Sequence, residues 1–106
     1  MECWQGATKS DHQLFFVIKI IFRNHPNLLQ FFFEPERPRV RFEPMEMRKR
    51  ARCFSSGEEL LVRVALDIWS GSGNAKIWQI IEILDSGNFS NVLEALSILQ
   101  GIRRDN

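Results

Sequence analysis

Leu14-Phe15-Phe16-Val17-Ile18-Lys19-Ile20-Ile21-Phe22-Arg23 is dense in β-branched and aromatic residues, and its reading decides the fold. At period two, Leu14, Phe16, Ile18, Ile20 and Phe22 share one face, while Phe15, Val17, Lys19, Ile21 and Arg23 share the other. Such a composition suits a pleated, well-buried strand. A helix over the same span would be short and apolar nearly all round, so the pattern predicts a strand. Asn24-His25-Pro26-Asn27 then reads as a turn, because Pro fixes its own φ and Asn tolerates turn conformations.

The flanking segments extend this reading. Residues 28–34 alternate Leu29, Phe31 and Phe33 against Gln30, Phe32 and Glu34, as a second strand would. Pro35 and Pro38 cannot donate to a ladder and mark strand ends. Residues 39–43 and 46–54 read as a third and a fourth strand, joined around Pro44.

Beyond Ser55 the period changes to that of helices. Ser55-Ser56-Gly57-Glu58 is a capping box, with Leu60, Leu61, Val64, Ala65 and Ile68 on one stripe behind it. Gly71 and Gly73 end that helix, and Asn74 is placed to cap a second over residues 75–84. After Asp85-Ser86-Gly87-Asn88, Phe89, Val92, Leu93, Leu96 and Leu99 define a third helix up to about Gln100.

The expected fold is therefore α+β, with a four-stranded antiparallel sheet from the N-terminal half covered on one face by three C-terminal helices. It divides into a polar tail over 1–12, a β-meander over 13–54, three helices over 55–101 and a charged tail over 102–106, all in one domain. The expected core comprises Phe16, Ile18, Ile20, Phe31, Phe33, Leu61, Val64, Ile68, Ile81, Val92, Leu93 and Leu96.

Composition narrows the function. The chain has 106 residues, 44% of them hydrophobic and 25% charged, with a formal net charge of +1. That balance argues against disorder and against two domains. The apolar run from Leu14 is interrupted by Lys19 and ends at Arg23, well short of the roughly 20 residues a membrane span needs. No signal peptide is visible before it, and Cys3 and Cys53 form no CxxC pair, so a cytoplasmic protein with reduced thiols is expected.

Enzyme signatures are missing. No G-x-S-x-G, H-E-x-x-H, P-loop or G-x-G-x-x-G occurs, and His12 and His25 fall in polar surroundings without a matching nucleophile. No catalytic residue, metal ligand or cofactor is nominated. Ser70-Gly71-Ser72-Gly73-Asn74 resembles a phosphate cradle leading into a helix, but a helix connector explains the same glycines. The last two helices have helix-turn-helix spacing, yet the final one carries no Lys or Arg until Arg103, so an αα-hairpin is preferred.

One charge pattern stands out. Arg37, Arg39 and Arg41 alternate, as do Arg48, Arg50 and Arg52. On paired strands both triplets lie on one face, with Lys49 as an interruption on the other. A local patch of this kind sets the field an anion meets, whatever the total charge. Arginine also suits bidentate binding of phosphate or carboxylate. Glu34, Glu36, Glu43 and Glu46 are near enough to balance the patch as a merely solvated face. The expected function is a non-enzymatic binding module, a small regulatory or inhibitor-like protein whose arginine ribbon engages nucleic acid or an acidic protein surface. The alternative is an oligomerising module that forms a homodimer through Phe15 and Phe32 on its Phe-rich strands.

Overall fold

The computed structural model describes residues 8–35 and 37–104, so Cys3, Glu36, most of the expected polar tail and the last two residues lie outside the described part. The described residues form six helices: α1 (Lys9–Ile21), α2 (Pro26–Phe32), α3 (Pro44–Ala51), α4 (Ser56–Ser70), α5 (Ile77–Ile83) and α6 (Ser86–Arg104). The expected four-stranded sheet is wrong. Among the described residues the extended pairing is a single antiparallel bridge between Phe33 and Val40.

The physical reason is visible in α1. Leu14, Val17, Ile18, Ile20 and Ile21 are all buried, together with the capping Phe22. A helix that is apolar nearly all round belongs at the centre of a fold. Helix α1 packs most extensively on α6 and also on α4, and beyond its first two residues the exposed ones, His12, Phe16 and Lys19, recur at helical spacing. Its start is locally encoded. The Asp11 amide donates to Thr8 Oγ1 at 3.0 Å, and the Thr8 amide donates back to Asp11 Oδ2 at 3.2 Å. This second capping box precedes the apolar run just as Ser55 and Glu58 precede α4.

Proline explains two of the other three lost strands. Pro26 and Pro44 each stand at the first turn of a helix, where the missing N–H costs nothing and the fixed φ helps. At α3 the Glu43 carboxylate caps the helix by accepting from the Glu46 amide at 2.9 Å. Inward, α2 offers Leu28 and Phe32, and α3 offers Met47 and Ala51, each pair four residues apart. The segment expected as the third strand is the connection between α2 and α3.

Phenylalanines hold this half together. Phe33 meets Phe15 edge-on at 4.7 Å between ring centroids, Phe32 at 4.8 Å and Trp69 of α4 at 5.5 Å. Phe31 meets Phe54 edge-on at 5.0 Å and Phe42 at a tilt at 5.7 Å. The expected self-association through Phe15 and Phe32 therefore fails for this surface. Phe32 is fully buried, and Phe15 is half-buried against Phe33.

The C-terminal half keeps its helices but not all of its faces. Helix α4 has the Ser55–Glu58 capping box and ends at Gly71, which takes the left-handed conformation at φ 69°. Lys76 rather than Asn74 caps α5. In α6 the inward residues are Asn91, Val92 and Ala95, while Leu93 and Leu96 are 51% and 41% exposed. Ala95 is small and fully buried, and a small side chain on an inward face lets a packed neighbour lie close. Helices α1 and α6 run antiparallel, because Arg23 reaches Asn91 and Glu94 whereas the later His25 reaches the earlier Asn88.

Four expected core residues, Phe16, Ile81, Leu93 and Leu96, are thus exposed, and Phe31 and Ile68 are half-buried. Leu93→Ala is accordingly expected to cost less than about 1 kcal/mol in urea unfolding, well below the 2–5 kcal/mol of a buried leucine. Among the described residues no helix is long and apolar enough to cross a membrane.

Candidate anion-binding site

The six arginines do not share a surface. Arg37, Arg39 and Arg41 lie between α2 and α3, Arg48 and Arg50 lie on α3, and Arg52 caps its C-terminal end. Arg39 and Arg37 both approach the Glu34 carboxylate, at 3.4 and 3.9 Å. Arg41 donates from Nε to the Gln30 carbonyl at 2.6 Å. Arg50 donates from Nε to Glu46 Oε2 at 2.8 Å, with its guanidinium carbon 4.4 Å from the Phe42 ring centroid. These four are engaged within the chain.

The helix separates the second triplet. Residues two apart on a helix point in nearly opposite directions, at about 100° per residue, so Arg50 turns away from Arg48 and Arg52. The latter two, four residues apart, stay together. Met45, Arg48, Lys49 and Arg52 recur at i, i+3, i+4 and i+7 and form one wall of a cavity of about 390 Å³. Glu59 and Arg63 of α4 form the facing wall, and Asn74 closes one end. The side chains of Arg48, Lys49 and Arg52 have no ion-pair or hydrogen-bond partner among the described residues. Four cations therefore face one carboxylate.

Arg63 is held in place by the loop after α4. It donates from Nε to the Gly73 carbonyl at 3.1 Å and from Nη2 to the Asn74 carbonyl and to Gln79 Oε1. One turn further along α4, Asp67 accepts from the amides of Gly73, Asn74 and Ala75 at 2.8, 3.1 and 2.8 Å. The glycine-rich loop is thus an anion nest whose anion is the chain's own Asp67. That occupies the amides an external phosphate would need, and the connector reading holds.

No protein-family model, curated protein or solved structure matches this chain. The site must be read from its own chemistry.

Two members were missed from sequence. Lys49 was expected on the opposite face of the ribbon, and Arg63 was not nominated. The helical spacing of Met45, Arg48, Lys49 and Arg52 was the available signal for the first. Nothing local announces Arg63, whose position depends on how α3 packs against α4. His25, expected as an ordinary surface residue, is half-buried. Its Nε2 lies 3.0 Å from Asn88 Oδ1 and its Nδ1 lies 3.8 Å from Glu58 Oε2, so it joins the α1–α2 turn to α4 and α6.

Proposed function

We propose that the protein is a non-enzymatic binding module of the cytoplasm that engages an acidic segment of a partner protein through the cavity between α3 and α4. The observation that carries this reading is the convergence of the Arg48, Lys49 and Arg52 side chains, all without internal partners, on one cavity with Arg63. Unpaired cations lining a common concavity raise the local potential and attract carboxylates, which arginine binds bidentately. An acidic protein fits better than nucleic acid. The sequence pI is about 7.8, below the strongly basic range of nucleic-acid-binding domains. The cavity is compact rather than a stripe along a backbone, and Met45, 71% exposed at its edge, offers an apolar contact.

Fluorescence anisotropy with a labelled acidic peptide tests this. Arg48→Ala and Arg52→Ala are each expected to weaken binding about tenfold, roughly 1.4 kcal/mol, with melting temperature little changed. Arg39→Ala, which removes a guanidinium already committed to Glu34, should leave affinity unchanged. Equal losses from all three variants would restore the six-arginine surface and sink the cavity reading. Tighter binding to a DNA or RNA oligonucleotide, with a steep salt dependence, would identify nucleic acid as the partner.

A further inference from the structure

A second cavity, of about 530 Å³, lies where α1, α2 and the segment after α2 meet. That is the size of a small-molecule site. Its apolar wall is Phe15 of α1, Leu29 of α2, and Phe33 and Pro35 just beyond. Phe33 is buried and locked by three aromatic neighbours, whereas Phe15 and Leu29 are half-buried and keep apolar surface for a ligand to cover. The cavity between α3 and α4 has no such wall, since Met45 is its one apolar lining residue.

Two cations stand over this wall. Lys19 follows Phe15 by one turn of α1, and its Nζ lies 5.3 Å from the Phe15 ring centroid. Arg41 is delivered by the antiparallel bridge between Phe33 and Val40. Its amide donates to the Phe32 carbonyl at 2.9 Å, and its Nε donates to the Gln30 carbonyl at 2.6 Å. These two bonds fix the guanidinium and leave both Nη groups unused. Neither they nor the Lys19 ammonium have an ion-pair or hydrogen-bond partner among the described residues. The one carboxylate in the lining, Glu34, is already shared by Arg39 and Arg37 at 3.4 and 3.9 Å.

We propose that this cavity binds a small aryl carboxylate, with its ring against Phe15, Leu29 and Phe33 and its carboxylate between Lys19 and Arg41. The lining selects that class. Lys19 and Arg41 against Glu34 leave one positive charge, which a monoanion balances and the two charges of a phosphate monoester exceed. A carboxylate also matches the paired Nη donors of a fixed guanidinium. An organic cation would have to take Glu34 from two arginines. Because Arg41 and Phe33 are held before any ligand arrives, little ordering is left to oppose binding.

Equilibrium dialysis of the full chain against naphthoate tests the proposal, with neutral naphthylmethanol and cationic naphthylmethylamine as comparisons. Naphthoate should bind one to one with a dissociation constant on the order of 0.1 mM, ordinary for a ligand of this size. The alcohol should bind at least about tenfold more weakly, and Lys19→Gln and Arg41→Gln should each weaken naphthoate about tenfold, the loss of one charge-assisted hydrogen bond. Circular dichroism should stay unchanged in both variants. Naphthoate should leave the acidic peptide bound, because the two cavities share no lining residue. Displacement of that peptide would place naphthoate between α3 and α4 and overturn this site. No saturable binding at millimolar naphthoate, equal retention of acid and alcohol, or preference for the amine would each overturn the proposal. Displacement of naphthoate by a lower concentration of a peptide ending in phenylalanine would overturn the small-molecule assignment.

Discussion

Gly73→Ala is expected to lower the unfolding free energy by about 3 kcal/mol or more, the upper range for a substitution without room. A Cβ at this position would lie 1.7 Å from the Arg63 carbonyl oxygen and 2.9 Å from the Asp67 backbone nitrogen, both in the interior of α4. Neither can retreat without breaking the helix, so the loop itself must move. That movement separates Gly73 and its neighbours from Asp67 and Arg63, and buried or partly buried charge-assisted bonds are costly to lose. Gly71→Ala provides the contrast. Nothing lies within 4 Å of its Cβ, so only the left-handed backbone at φ 69° opposes it, at about 1 kcal/mol. Chemical denaturation of both variants separates steric exclusion from conformational preference. Equal losses would show that the close approach of Gly73 to α4 carries no weight.

Phe32→Ala should cost about 3–5 kcal/mol, whereas Phe16→Ala should stay within about 1 kcal/mol. Phe32 is fully buried and meets Phe22 and Phe33 at 5.7 and 4.8 Å between ring centroids. Phe16 is 55% exposed on the outer stripe of α1. The pair discriminates the helical fold from the strand pattern, in which Phe16 is a core residue beside Ile18 and Ile20 and Phe32 lies on the face away from Phe31 and Phe33. A large loss from Phe16→Ala with a small one from Phe32→Ala would count against the six-helix arrangement. Urea unfolding is sufficient to see either outcome, since a domain of this size has only about 5–15 kcal/mol in total.

These residues show why the N-terminal half was misread. Periodicity reports one-sided burial: apolar residues every two positions for a half-buried strand, every three or four for a surface helix. A central helix has partners on several sides and shows neither period clearly. With α6 and α4 both packed on α1, Leu14, Val17, Ile18, Ile20 and Ile21 are buried together, and the β-branched composition becomes a consequence of burial. The remaining signals were local and legible. Thr8 and Asp11 form a capping box, and Pro26 and Pro44 stand where a helix tolerates proline. Each proline also fits a turn, which is how one sequence supported two readings.

The candidate site divides in the same way. That arginine was concentrated between Arg37 and Arg52 could be read directly, but its geometry depended on the backbone. In extended chain, Arg48, Arg50 and Arg52 point together. In α3, Arg50 turns to Glu46 and Phe42, and Lys49 replaces it on the face shared by Arg48 and Arg52. Arg63 completes the cavity from another helix, a contact without local signature.

By itself the sequence determined what is encoded within a few residues. The Ser55–Glu58 box starts α4, Gly71 ends it, and helical spacing places α5 and α6 in the C-terminal half. Capping and helical period are interactions between near neighbours, so they survive in any tertiary context. The tertiary structure decided which side of each element faces inward, and through that the identity of α1. Asn91 and Ala95 rather than Leu93 and Leu96 are buried, and α5 turns Ile77, Trp78 and Ile81 to solvent because Arg63 holds Gln79. Burial is a property of the whole packed chain, and intrinsic propensities, each worth less than about 1 kcal/mol per residue, yield to it.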